Sequence, residues 1–226
     1  MCVAIMKGRR FSPQEASLLQ EIILNRRDVR GNRFHPDPLP QTAIQSILEA
    51  AVHAPSVGFS QPWEFVLVTD TARRRAIRDS FQQENSKAAD LFAGERAELY
   101  QRMKLEGIVE APLNIAVFYR PSTAPVLGQT SMDEVGRYSV VCAIQNMWLM
   151  ARSLNIGMGW VSILDPAAIR GILQVPKDRE LVGYLCLGYV DEFYDAPELE
   201  RLQWERRRAL QTLVHNETYQ PPQQEN

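Results

Sequence analysis

Residues 26–30 read Arg26-Arg27-Asp28-Val29-Arg30, and their types bear directly on chemistry. A guanidinium is planar, permanently charged, and carries a fork of N–H donors that matches a phosphate bidentately. Three of them in five residues make a small oxyanion the expected ligand. The one carboxylate among them repels that ligand wherever it faces it. Asp28 therefore needs a task of its own, and a carboxylate beside a bound polar ligand is suited to general-base work. A second basic run, Arg206-Arg207-Arg208, stands near the other end of the chain. If the two runs converge, one anion pocket is built from both ends of the fold. The competing reading of each run is charge on a solvated turn.

Two further segments carry site-type residues. Pro55-Ser56-Val57-Gly58 and Gln61-Pro62-Trp63 place a hydroxyl and an amide on one Pro- and Gly-rich loop, groups that hydrogen-bond a polar ring or a sugar chain. Gly157-Met158-Gly159-Trp160 has two glycines, which permit close backbone approach to a flat ligand; Val161 and Ser162 follow. This is not a dinucleotide fingerprint, because the third glycine is missing and the segment enters a strand instead of leaving one. No phosphate-binding P-loop occurs. Cys2, Cys142 and Cys186 are widely spaced and His35, His53 and His215 are scattered, so no metal site is read. Cys142 and Cys186 are expected in the core.

The elements that must position these residues are well marked. Ser12-Pro13-Gln14-Glu15 is a capping box with Pro at the first helical position. Leu18, Leu19, Ile22 and Ile23 then form one apolar stripe, and the helix ends near Asn25, where the arginines begin. A helix runs from about Pro40 to His53, and a strand over Phe65–Val68. Asp70 or Thr71 caps a third helix of about ten residues. Residues 82–108 are charged and helix-forming, suited to a lid or to a solvated surface helix. Leu113–Tyr119 is a buried strand and 121–131 a loop. A helix of about Asp133–Leu154, apolar nearly all round, suits a central core or a dimer interface, with Gly157 as its C-terminal cap. Strands follow at Gly159–Leu164 and Leu181–Val190, with a short helix from Asp165-Pro166 between them. The expectation is one α+β domain over 1–226, its core about 13–212, with a sheet of four or five strands and a flexible tail over 213–226.

Length and composition narrow the function. The 226 residues are 45% hydrophobic, enough for a substantial core, and the net charge is -2. That charge disfavours nucleic-acid binding, which needs a basic face. No apolar run reaches the roughly 20 residues of a membrane span. The first residues lack the apolar stretch of a secretory signal, and cysteine usage fits the reducing cytoplasm.

Three motifs in this order, Arg-Arg-Asp-Val-Arg, Ala-Pro-Ser-x4-Gln-Pro-Trp and Gly-x-Gly-Trp-Val-Ser-Ile-Leu-Asp-Pro, resemble the nitroreductase-type flavoprotein superfamily over about residues 13–212. General members have Ser or Thr at the place of Asp28 and usually Asn at the place of Phe59. Asp28, Arg33-Phe34, Pro55-Ser56-Val57-Gly58 and the run Trp160–Pro166 are closer to one branch, the flavin-consuming 5,6-dimethylbenzimidazole synthases. The resemblance implies a mainly antiparallel sheet flanked by helices, and a homodimer with two FMN sites at its interface. It implies reduced FMN as substrate and molecular oxygen as co-substrate, with a flavin C4a-peroxide on the way to 5,6-dimethylbenzimidazole and erythrose 4-phosphate. A separate flavin reductase would supply the reduced FMN. It places Arg26, Arg27, Asp28, Val29, Arg30, Pro55, Ser56, Gly58, Gln61, Trp160, Val161, Ser162 and Arg207 at the flavin, with Asp28 and Ser162 catalytic. For the phosphate arginine, the choice among Arg206, Arg207 and Arg208 stays open. The alternatives are an NAD(P)H-dependent FMN nitroreductase or flavin reductase, and a non-catalytic flavin carrier.

Overall fold

The structure, a computed structural model, describes residues 7–220. Cys2 and the last part of the expected flexible tail, 221–226, lie outside the described residues. Four strands form one antiparallel sheet: β1 (Trp63–Val68), β2 (Leu113–Tyr119), β3 (Gly157–Val161) and β4 (Glu180–Gly188), in the order β1-β2-β4-β3. β2 is buried along its whole length. Its Leu113, Ile115, Val117 and Tyr119 enter one core and Ala116 and Phe118 the other, following the two-residue period of a strand. A sheet buried on both faces needs helices on both, and the chain supplies them.

On one face lie α2 (Gln41–Val52) and α5 (Val135–Ser153), joined through Ile47, Ala51, Ala143, Ile144 and Met147. On the other lie α3 (Thr71–Ala89) and α6 (Pro166–Leu173), contributing Ile77, Phe81 and Ile169. The first helix, α1 (Pro13–Asn25), has the expected capping box: Ser12 Oγ accepts the Glu15 N–H at 3.2 Å and Glu15 Oε2 accepts the Ser12 N–H at 2.8 Å. Its stripe, however, covers no core. No residue of α1 is buried, and Leu18, Leu19 and Ile23 are exposed.

Several expectations are corrected. α3 runs for 19 residues where about ten are expected; its second half lacks an apolar face but consists of good helix formers with no breaker, so propensity carries it on. A turn and a short helix, α4 (Glu95–Arg102), complete the charged excursion. Gly157 does not cap α5. Asn155 takes the left-handed turn at φ 56°, a role Asn fills when Gly is absent, and Gly157 already begins β3. β3 stops at Val161, so Ser162 follows the strand instead of lying in it. Cys186 is buried, but Cys142 is exposed on the outer side of α5. Among the described residues no helix is long and apolar enough to cross a membrane.

Candidate functional site

β3 is an edge strand, and residues 26–30 lie along its open side. Asp28 and Met158 form a parallel bridge, and the Val29 N–H donates to the Met158 carbonyl at 3.1 Å. Where a further strand would offer a backbone carbonyl to the next edge N–H, the side chain of Asp28 does so instead: Oδ1 accepts from the Trp160 N–H at 3.1 Å. Its Oδ2 accepts from the Arg30 guanidinium. Burial pushes the Asp28 carboxyl up, while Arg30, the Trp160 N–H and Arg26 pull it partly back. Asp28 therefore has a structural task, holding the segment to the sheet edge, and is also a half-buried, oriented, titratable group.

The approach of the two segments explains the glycines. A Cβ on Gly159 would lie 2.1 Å from the Val29 carbonyl oxygen, and one on Gly157 would meet Val190 Cγ1 at 2.9 Å and Val29 Cγ2 at 3.2 Å. The sequence reading assigns these glycines to a flat ligand; in the structure the chain's own arginine segment and neighbouring side chains take that space.

The two basic runs meet. A cavity of about 570 Å³ is lined by Arg26, Arg27, Asp28 and Arg30 on one side and by Arg207 and residues 195–200 on the other, with Ile23, Leu24 and Gln145 between. That volume is in the range of small-molecule sites. Of the three arginines 206–208, only Arg207 lines it. Arg26 lies over the Trp148 ring at 4.6 Å; burial lowers its pKa, Asp28 opposes that, and Arg27 and Arg207 as like charges lower it further. Like charges brought together around a cavity create a site for an anion. Asp195, Glu198 and Glu200 sit on the outer wall, where Asp195 faces Arg201 at 3.7 Å.

The other predicted residues divide sharply. Arg27 lines the cavity, but its donors are committed to the carbonyls of Leu24, Arg26, Tyr194 and Asp195, so it clamps the outer wall to the end of α1. Val29 and Val161 turn their side chains into the core. Pro55, Ser56, Gly58 and Gln61 do not line this cavity. Their loop is pinned to α5 by the Val57 N–H donating to Ser139 Oγ at 3.1 Å, and closed by the Gln61 N–H donating to Ser56 Oγ at 3.1 Å. It is strained, since Phe59 and Gln61 both have positive φ and Phe59 is 79% exposed. An Asn at position 59 would fit that backbone more easily than Phe. Ser162 is exposed just beyond β3, outside the cavity lining.

Sequence reasoning missed three supports. Trp148 donates its indole N–H to the Arg27 carbonyl at 3.3 Å, Arg152 donates to the Asn25 carbonyl at 3.0 Å, and Gln145 reaches the cavity from α5. A Trp with a polar N–H on an otherwise apolar helix was the available signal.

This arrangement defines a class: α+β proteins whose antiparallel sheet, covered by helices on both faces, carries an anion-receptive site at its glycine-bearing edge. A model of the Nitroreductase family matches residues 23–189, and the chain belongs to that family. It is an oxidoreductase-type enzyme. A 5,6-dimethylbenzimidazole synthase of Rhodospirillum rubrum is 46% identical over 203 residues, covering 89% of this chain and 95% of the relative. One of Rhodobacter capsulatus is 38% identical over 197 residues, covering 86% and 94%. Among solved structures, an iodotyrosine deiodinase bound to FMN and 3-iodo-L-tyrosine superposes with a TM-score of 0.71 at 22% identity, covering 89% of this chain and all of that one. The last likeness shows the fold alone.

Proposed function

We propose that this chain is a 5,6-dimethylbenzimidazole synthase, which takes reduced FMN as substrate and uses molecular oxygen to fragment it to 5,6-dimethylbenzimidazole and erythrose 4-phosphate. The observation that carries the reading is Asp28: a half-buried carboxylate among arginines, held by the Trp160 N–H and Arg30. Gripping a phosphate needs no carboxylate beside it, and beyond its task at the sheet edge Asp28 is suited to act as a base. Relatives named for this activity, at 46% and 38% identity, support the same reading.

The residues present fit FMN. Arg26 from one basic run and Arg207 from the other face the same cavity, which suits the phosphate end of that molecule. When bound, reduced flavin and dioxygen supply the redox chemistry. Arg26 and Arg207 hold the phosphate. Arg27 holds the outer wall and Arg30 holds the carboxylate of Asp28. Asp28 would accept a proton from the bound substrate, and the Ser162 hydroxyl, exposed just beyond β3, would hydrogen-bond it.

A second copy completes the site in this reading. Leu18, Leu19 and Ile23 on α1, Val141 on α5 and Phe59 are exposed apolar surface suited to burial between two copies. Pro55, Ser56, Gly58 and Gln61, remote from the cavity of their own chain, would serve the site of the partner. Reduced FMN would come from a separate flavin reductase in the cytoplasm. Purified protein given chemically reduced FMN under air should form benzimidazole, and should sediment as two chains. Recovery of all the flavin as oxidised FMN would sink the proposal.

The site also predicts a pH dependence. A base works only when ionised, and the Asp28 carboxyl is raised by burial. The acidic limb of the rate profile should thus lie above the ordinary Asp range of about 4. Arg30→Met removes the strongest stabiliser of the carboxylate, so the limb should move to still higher pH, by about one unit or more. A limb that stays in place would show that another group titrates there.

A further inference from the structure

We infer that Trp204 is a positioning residue: it fixes Arg207 in the cavity and thereby sets the preference for a phosphorylated flavin over its dephosphorylated form. The inference rests on the FMN reading above.

The outer wall of the cavity, residues 194–207, is held at two points. At its start, Arg27 donates to the Tyr194 carbonyl at 2.9 Å and to the Asp195 carbonyl. At its end stands Trp204, whose N–H closes the turn after α7 (Glu198–Arg201) by donating to the Leu199 carbonyl at 2.8 Å. Its ring leaves this wall and packs into the charged excursion. It meets Phe92 edge-on with centroids 5.1 Å apart and Tyr100 at 6.2 Å, and the Arg96 guanidinium lies over it at 4.2 Å. Phe92 and Tyr100 are themselves stacked at 4.8 Å. The Tyr100 hydroxyl donates to Asn85 Oδ1 at 2.8 Å, which ties the cluster to α3.

Beyond this clasp the backbone runs on in extended form to Ala209, with no regular structure over 205–209. Arg206, Arg207 and Arg208 are exposed. A long cation on an unpaired segment has no fixed place of its own, because ordering it costs backbone and rotamer entropy. Trp204, three residues earlier, is the nearest anchored side chain. The clasp reduces that entropic cost before the ligand arrives, and preorganisation of this kind appears as affinity for the group the arginine meets. Only a flavin with a phosphate meets it. This also gives the excursion a use that neither a free lid nor a solvated helix explains: its aromatic side chains form the seat for the wall carrying Arg207.

The test is a fluorescence titration of the full-length protein with FMN and, separately, with riboflavin. For Arg207→Ala, loss of a charge-assisted contact should weaken FMN by about tenfold or more and riboflavin by less than about twofold. Trp204→Ala should weaken FMN at least about fivefold, again with riboflavin nearly unchanged, and Trp204→Phe should restore most of the loss. In the double variant the two effects should not add, since both act through one contact. The inference is overturned if Trp204→Ala leaves the FMN-to-riboflavin ratio at the wild-type value, or lowers both affinities alike, or adds fully to Arg207→Ala. If Trp204→Ala does not fold, the ratio in Trp204→Leu decides by the same criteria. Unchanged FMN affinity in Arg207→Ala is a different failure: it removes the phosphate reading of Arg207 itself.

Discussion

Replacement of Asp28 by Asn is expected to leave FMN bound and to lower benzimidazole formation by at least about a hundredfold, the lower end of what a positioned general base contributes. The geometry separates the two effects. An Asn oxygen can still accept the Trp160 N–H, now at 3.1 Å, so the Arg26–Arg30 segment keeps its place on β3. The contact with Arg30 loses its charge, and the cavity gains net positive charge, which does not weaken a phosphate. What disappears is a group able to take a proton. Anaerobic titration of the variant with reduced FMN measures binding, and chromatography after admitting air measures product. Full product yield with intact binding would reduce Asp28 to a structural residue. Ser162→Gly is the companion experiment: on the proposed role of its hydroxyl, hydrogen peroxide released per FMN should rise as benzimidazole falls. An unchanged ratio would take Ser162 out of the mechanism.

The contrast between these residues shows what a sequence can disclose. The capping box at Ser12 and Glu15, the buried run of β2 and the Asp165-Pro166 start of α6 are local, each written within a few residues, and the structure has them where they are expected. The chemical oddity of Asp28 is equally local: one acid among arginines. Its structural partner is not, because Trp160 is 132 residues away and offers only a backbone N–H, a group every strand residue other than proline has. The same distance hid the reason for Gly159. A glycine announces a close approach without saying what approaches. The full length of α3 is not legible in apolar periodicity, which ends near Phe81, while the helix continues on propensity. Cys142 was misplaced for a related reason. A helix apolar on most sides gives no clue which side faces the sheet, and Cys142 is on the other one. The meeting of Arg207 with Arg26 depends on a chain path through Trp204 that no periodicity encodes.

Gly159→Ala is expected to abolish the site, with a loss of stability at or beyond the upper end of the about 1–3 kcal/mol that overpacking costs. Gly159 has no positive φ, so alanine is acceptable to its own backbone and the effect is purely one of space. The added Cβ would stand 2.1 Å from the Val29 carbonyl oxygen and 3.2 Å from its carbon, both backbone atoms that no rotamer change can move. The Arg26–Arg30 segment must then leave the sheet edge. The Val29 N–H loses the Met158 carbonyl, Asp28 loses the Trp160 N–H, and the cavity wall that carries three of its arginines shifts with them. Other glycines calibrate the result. Gly157→Ala meets the methyl groups of Val190 and Val29 at 2.9 and 3.2 Å and the Gly188 carbonyl oxygen at 3.3 Å, a milder overlap than the 2.1 Å at Gly159, and should cost less. Gly171→Ala, on α6 with nothing within 4 Å, should be neutral or gain up to about 1 kcal/mol from helix propensity. Denaturant unfolding of the three variants gives the order of stabilities, and FMN titration shows whether the site survives. Wild-type FMN affinity in Gly159→Ala would mean that the arginine segment does not need the edge of β3. The placement of Asp28 by that edge, on which the proposed chemistry depends, would then lose its basis.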